Sequence, residues 1–236
     1  MFIFILQLII LIYIIIFIYN IIELKKYNMN SNLFYIKNNR KNDIYYRIYN
    51  LNPFIINQKN NFSFNDLLKE NKNYLINDNQ RIYHINNILK KSKNNKEIKI
   101  YKNQKMFYDF NLIDKISFKI NDLPNYNFLF PINYSLSIFN GKNIITSLKL
   151  SNHNYNIIGN INGDNIIYLF NPKHKNDIQN KNLNEIRKWS NKIIMKKNDI
   201  LFIPINWYYI QEINYFSFQY NIDIDNYFTF LFNNYS

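Results

Sequence analysis

Cysteine is absent from this chain, which excludes a disulfide scaffold, a thiolate metal site and a cysteine nucleophile. Glycine occurs three times, at Gly141, Gly159 and Gly163, and the chain holds neither a Gly-rich phosphate loop nor a G-x-S-x-G elbow. Histidine is equally scarce. His84, His153 and His174 each lack an acidic residue two positions on, so no H-x-D or H-x-E ligand pair is present. Runs of like charge are missing too. The formal net charge is +13, yet the basic residues are scattered with no block of five, as on a generic solvated surface and not as in a nucleic-acid site. Nucleic acid is therefore not the expected partner.

One stretch carries no charge at all. Met1 to Ile22 is broken strongly only by Gln7 and Asn20, and as a helix it would span about 33 Å against a hydrocarbon core of about 30 Å. It lacks the basic start and small-residue cleavage site of a signal peptide. The expectation is a transmembrane anchor over 1–22, with the lipid bilayer as its partner. Lys25, Lys26, Lys37, Arg40 and Lys41 follow the span and no basic side chain precedes it, so the positive-inside rule places the remainder in the cytoplasm. Asn61-Phe62-Ser63, Asn133-Tyr134-Ser135 and Asn234-Tyr235-Ser236 match the glycosylation pattern and would argue for a lumenal domain. In a chain so rich in Asn such triplets arise by chance, and cytoplasmic placement stands as the expectation.

The remainder divides into a polar linker, 23–43, an α/β flank, 44–127, and a β-rich core, 128–236. In the flank, Ile44 to Ile56 alternates aromatic and aliphatic residues and predicts an opening strand. Ser63, with Asp66 three positions on, predicts a helix over roughly 63–73. Ile82 to Leu89 has weak helical periodicity, and Ile98 to Tyr101 alternates like an edge strand. From Phe128 onward, short strands recur every eight to twelve residues: Tyr134–Phe139, Ile144–Asn152, Asn156–Ile161 and Ile166–Phe170, with turn residues between them. A chain that otherwise avoids Gly is expected to keep it where a positive φ or a close backbone approach demands it. Leu183, Ile186, Trp189 and Ile193 stand at helical spacing. Asp199 closes a turn before the apolar run Ile200–Ile203, Pro204 stops that strand, and Asn206 makes the corner before Trp207-Tyr208-Tyr209.

These pieces stand in a recognisable order. Gly141, Thr146, Leu148, Asn156, Gly163, Leu169-Phe170, Pro172, Asp199, Ile203-Pro204 and Trp207 resemble, in order and spacing, the metal-binding core of the cupin-like, JmjC-related Fe(II)/2-oxoglutarate oxygenase family. The resemblance covers about a third of the chain. It implies a mainly β fold with flanking helices, a double-stranded β-helix (cupin or jelly-roll) behind the N-terminal transmembrane helix. In that family an H-x-D pair and a distal His hold iron; the matching positions here are Leu150, Asn152 and Tyr209. The lysine that binds 2-oxoglutarate in some members matches Asn165. Leu cannot ligate, Asn is a feeble neutral donor, and Tyr would have to deprotonate.

The resemblance therefore implies a degenerate member with no metal ligands and no cofactor, a pseudoenzyme acting as a binding or scaffold module with a possible protein partner. Its pocket candidates are Thr146, Leu150, Asn152, Asn156, Asn165, Trp207 and Tyr209. Two alternatives stand beside it. One is an Fe(II)/2-oxoglutarate protein hydroxylase with a rearranged site using His153. The other is a basic membrane-proximal module that binds nucleic acid or anionic lipid, tested by salt dependence. The bias towards Asn, Ile, Lys, Tyr and Phe is that of a strongly AT-rich genome, such as a large DNA virus, which leaves a viral or a host membrane open.

Overall fold

The computed structural model describes residues 2–25, 34–36, 41–49, 51–60, 62–78, 81–85, 97–116, 118, 123, 129–179, 181–226 and 229–230. The elements in order are α1 (Phe2–Lys25), β1 (Phe34–Ile36), α2 (Lys41–Tyr49), β2 (Phe54–Asn57), α3 (Phe64–Glu70), β3 (Leu75–Asp78), β4 (Arg81–His84), β5 (Ile98–Asn103), β6 (Leu129–Asn140), β7 (Ile144–Ile145), β8 (Lys149–Leu150), β9 (Tyr155–Phe170), β10 (Ser190–Met195), β11 (Asp199–Pro204) and β12 (Tyr208–Asn226). Single helical turns fill some of the gaps. The fold is mainly antiparallel β with few helices, and among the described residues only β1 and β2 pair in parallel.

β9 and β12 organise the domain, because each takes part in two strand sets. The first half of β9 lies between β11 and the second half of β12, which pairs onward with β6. β5 closes that side, and β2 with β1 closes the other. The second half of β9 lies between β10 and the first half of β12, which pairs onward with β7 and β8. The crossover is marked by a register shift between Ile213 and Ser217, opposite Gly163. Gly163 has φ +90, and a Cβ there would stand 2.1 Å from the Phe216 carbonyl oxygen. Only glycine fits a left-handed backbone pressed that closely.

The larger apolar clusters follow from this winding. Ile158, Ile167, Leu169, Ile193, Met195, Leu201, Ile203, Trp207 and Tyr209 draw on both strand sets and form the inner layer. Alternate residues of the first set, among them Phe202, Phe218, Tyr220 and Ile222, face outward against α2, α3 and the helical turns at 104–115. Tyr168, Phe170, Tyr208 and Ile210 of the second set are covered by Ile178, Leu183 and Ile186.

Several local expectations meet their structure here. Ser63 caps α3 in a reciprocal box with Asp66, which satisfies two donors at the helix start. Ile98–Asn103 lies at one end of the large sheet. Asp199 Oδ2 accepts the Lys196 N–H at 2.8 Å, and Asn206 turns the corner with φ 69. Other expectations are corrected. The opening strand expected over Ile44 to Ile56 forms only at its end, as β2 from Phe54, whereas Ile44 to Tyr49 is helical, because Ile44 and Ile48, one turn apart, both pack on the outer core. Leu51 ends that helix with φ 48, where the N–H groups of Leu51 and Asn52 reach back to the carbonyls of Ile48 and Arg47, a Schellman stop. Helix spans only Leu183–Ile186, a 3₁₀ turn takes Arg187–Trp189, and Ile193 belongs to β10. The two strands expected on either side of Gly163 are one, β9. Ile82 to His84 lies in β4, and 86–89, the remainder of that expected helix, lies outside the described residues, as does most of the linker.

α1 is a helix of 24 residues whose described side chains, Ile5 to Ile15 and Ile18, are exposed. Among the described residues no helix is long and apolar enough to cross a membrane.

Candidate functional site

Strand pairing decides which side chains meet inside the domain. β8 pairs with β12 so that Tyr209 lies opposite Lys149 and Tyr208 opposite Leu150. Tyr209 belongs to the inner cluster and Tyr208 to an outer one. Alternation therefore turns Lys149 inward and Leu150 outward, and Leu150 is 43% exposed. Lys149 Nζ sits 3.2 Å from the centre of the Tyr101 ring and 6.0 Å from that of Tyr209, within reach of a cation–π attraction. The two phenol oxygens are 3.4 Å apart.

Tyr101 is followed by a break in the β5–β6 register between Ile100 and Asn103. Lys102 there has φ 49, a conformation uncommon outside glycine. Such a bulge re-aims a side chain. The Lys102 N–H is held by Ser137 Oγ at 3.0 Å, and the ammonium reaches both oxygens of Asp223 at 2.8 Å. Asn156 Nδ2 donates to Asp223 Oδ1 at 2.7 Å. A carboxylate this deeply buried must be paired and hydrogen-bonded, and Asp223 is both.

Asp223 is one member of a row. Ser217, Gln219, Asn221, Asp223 and Asp225 alternate along β12 with Phe218, Tyr220, Ile222 and Ile224, and all nine are buried. The apolar set packs on the outer core, so the polar set faces inward. Asn221 Nδ2 donates to Ser137 Oγ at 2.9 Å. Asp225 accepts from the Asn154 N–H at 2.8 Å and lies 3.0 Å from His153 Nδ1. Deeper in, an amide ladder crosses between the strand sets. Asn165 Nδ2 donates to Gln219 Oε1 at 3.0 Å, and Gln219 Nε2 to Gln211 Oε1 at 3.2 Å. Buried inner atoms without a protein partner include Asn156 Oδ1, Asn165 Oδ1, Gln211 Nε2, Ser217 Oγ and Trp207 Nε1. They include donors and acceptors, so the interior is half apolar and half polar.

Burial, with Lys102 adding like-charge repulsion, pushes the Lys149 ammonium down to about 7. Burial, with Tyr101 and Asp223 nearby, holds the Tyr209 phenol well above its usual range. Tyr209 therefore stays protonated.

The structure brings some expected pocket residues together and separates others. Asn156 and Tyr209 face inward, Tyr209 beside Lys149 and Asn156 on Asp223, and Asn165 lies in the amide ladder. Trp207 is wholly buried in the inner cluster. Thr146 Oγ1 accepts the Gln211 N–H at 3.0 Å and so ties β12 to the segment after β7. Leu150 and Asn152 do not line the interior. Counting from the family frame falls one residue out of step with the pairing, which turns Lys149 and Ser151 inward. Ser151 is buried and donates to the Ile203 carbonyl at 3.3 Å, whereas Asn152 is exposed. Lys149, Tyr101, Lys102, Asp223 and Asp225 were not legible as site residues. The one available signal was the strict polar–apolar alternation from Ser217 to Asp225.

The residues at the mouth do not fit an iron centre. A non-haem oxygenase needs two imidazoles and a carboxylate on one face with open positions. Lys149 and Ser151 stand on β8 and just after it, and Tyr209 keeps its proton. His153 does turn towards the interior, but its Nδ1 is engaged by Asp225, and Asp223 is engaged by Lys102 and Asn156. His84 is exposed, and His174 sits 3.3 Å from Asp177, on the segment that follows β9. Among the described residues no group of three or more His, Asp or Glu side chains is gathered so as to hold a metal. No protein-family model matches the chain, and no curated protein matches it significantly.

Proposed function

We propose that this chain is a membrane-anchored binding module, a jelly-roll domain similar to the cupin-like, JmjC-related oxygenases whose interior holds a ligand and does not turn one over. The jelly-roll reading is supported by two four-stranded sets, β6-β12-β9-β11 and β8-β12-β9-β10, in which β9 and β12 each serve both. A winding of this kind favours the double-stranded β-helix reading. The anchor reading rests on Met1 to Ile22, uncharged throughout and helical from Phe2. The lysines and arginine that follow favour a cytoplasmic domain.

One observation carries the non-catalytic reading. The inner positions across β8 and β12 hold Lys149 and Tyr209 in direct register, an amine side chain and a protonated phenol where the family mechanism needs imidazoles. Binding in place of catalysis is also favoured by the interior's mixture of engaged and unpartnered polar groups, which suits recognition of a small polar molecule. The test is metal analysis of the full chain purified in detergent and reconstituted anaerobically with Fe(II), followed by an assay for 2-oxoglutarate turnover. The expected result is sub-stoichiometric iron and no turnover. Stoichiometric iron with 2-oxoglutarate consumption would overturn the reading and restore the hydroxylase.

A further inference from the structure

We infer that the mouth of the domain binds a small organic monocarboxylate, with Lys149 as its counter-ion; the inference rests on the binding-module reading and names the ligand class. The argument starts from a missing charge. Lys149 is half-buried between two aromatic rings, and among the described residues no carboxylate lies within ion-pair distance of it. The domain buries two carboxylates on the same inner face, and both are taken. Asp223 is held by Lys102 Nζ at 2.8 Å and Asn156 Nδ2 at 2.7 Å, and Asp225 by the Asn154 N–H at 2.8 Å and the His153 ring at 3.0 Å. An ammonium withdrawn from water without a partner is costly unless an anion joins it.

The surroundings suit an anion of one charge. Lys102 adds a second positive centre close enough to depress Lys149. The phenols of Tyr101 and Tyr209 lie 3.4 Å apart, so one can donate to the other and leave a hydroxyl donor for the ligand. Among the described residues no arginine fork belongs to the cluster, which disfavours a phosphate dianion. The flanking rings of Tyr101 and Tyr209 match a flat carboxylate. Two residues beyond Tyr209 on the same inner face, Gln211 Nε2 is a buried donor without a partner, and it can meet a polar group on the ligand. Backbone strain at Lys102, φ 49 in a strand, marks a place where the fold is held in a rare conformation to aim a side chain at this cluster, as functional sites often are.

The probe is glycolate, applied to the full chain in detergent, with chloride at the same ionic strength and inorganic phosphate as separate arms. Two readouts apply. Trace acylation near pH 8 followed by peptide mass spectrometry compares Lys149 with exposed Lys192 in the same sample. Thermal unfolding compares the wild type with Lys149→Met and Lys149→Arg. The expected result is saturable protection of Lys149 by glycolate, about tenfold or more, with Lys192 unchanged. Glycolate should also raise the Tm of the wild type and of Lys149→Arg, but not of Lys149→Met. Equal labelling with and without glycolate, equal protection by chloride, protection by phosphate alone, or equal stabilisation of Lys149→Met each overturns the inference. Iron-dependent 2-oxoglutarate turnover would instead overturn the module reading, so the two failures are distinguishable.

Discussion

Replacing Gly159 by Ala would test the β9–β12 packing at its tightest point. Gly159 lies opposite Tyr220 in that pairing, and a Cβ built on it would stand 2.0 Å from Tyr220 Cζ, 2.2 Å from Cε1 and 2.5 Å from the hydroxyl. Carbon atoms prefer roughly 3.5–4.0 Å, so the ring must withdraw by about 1.5 Å. It has little room, because Tyr220 is fully buried in the outer core with Phe218 and Ile222. Overpacking of this kind costs about 1–3 kcal/mol and sometimes more. A value of about 3 kcal/mol lowers the Tm of a domain this size by roughly 6–12 °C. The sign discriminates, since Gly→Ala at an unstrained strand position with open space would stabilise by about 0.4–1 kcal/mol. Thermal and urea unfolding of Gly159→Ala, Tyr220→Ala and the double variant supply the cycle. The double variant should cost at least about 1 kcal/mol less than the sum of the single changes. A neutral or stabilising Gly159→Ala, or strict additivity, would refute the argument.

Further predictions follow from the same interior. Tyr220→Phe removes a buried hydroxyl without a partner, so urea unfolding should find it neutral or up to about 1 kcal/mol more stable. Asp223→Ala leaves the Lys102 ammonium and the Asn156 amide without their acceptor and should cost about 3 kcal/mol in the same assay; a change under about 0.5 kcal/mol would contradict the pairing. Lys149 is held near 7 in the fold against about 10.4 unfolded. Between these values the unfolded chain binds the extra proton, so stability should rise as pH increases from about 7 to 10. Lys149→Met should remove that rise, and parallel profiles for the two proteins would refute it. Deleting residues 1–22 should release the chain from membranes into the alkaline-carbonate supernatant. Retention of the truncated chain in the pellet would remove α1 as the anchor.

Much of this fold could be read from the residues, and the failures have definite causes. The Ser63–Asp66 box, the edge strand from Ile98 and the turn at Asp199 are set by local chemistry, and each lies where its residues predict. Gly159 and Gly163 mark a ring contact and a positive φ, as scarce glycines should. Ile44–Tyr49 is ambiguous in the sequence because Ile, Tyr and Ile fit both an alternating strand and a helix, and packing of Ile44 and Ile48 on the outer core decides. The site was one residue out of step for a related reason. Side chains alternate along a strand, so a slip of one residue exchanges inside for outside, and a motif count cannot detect it. The row from Ser217 to Asp225 was harder still. Polar–apolar alternation ordinarily marks a strand with its polar side in water, whereas here both faces are buried and the polar one looks inward. Partners brought in from neighbouring segments, among them Lys102, Ser137, His153, Asn156, Asn165 and Gln211, make that arrangement tolerable.

The absence of native cysteine allows the orientation of the mouth to be measured directly. Single variants Leu150→Cys, Ser151→Cys, Asn152→Cys and Tyr209→Cys, each labelled with a maleimide in the folded full chain, have no background. Leu150→Cys and Asn152→Cys should react at the rate of an exposed thiol, with Ser151→Cys and Tyr209→Cys strongly protected. Protection at 150 and 152 with rapid reaction at 151 would place the family's ligand positions inside after all, and would contradict the assignment of Lys149 and Tyr209 to one interior mouth.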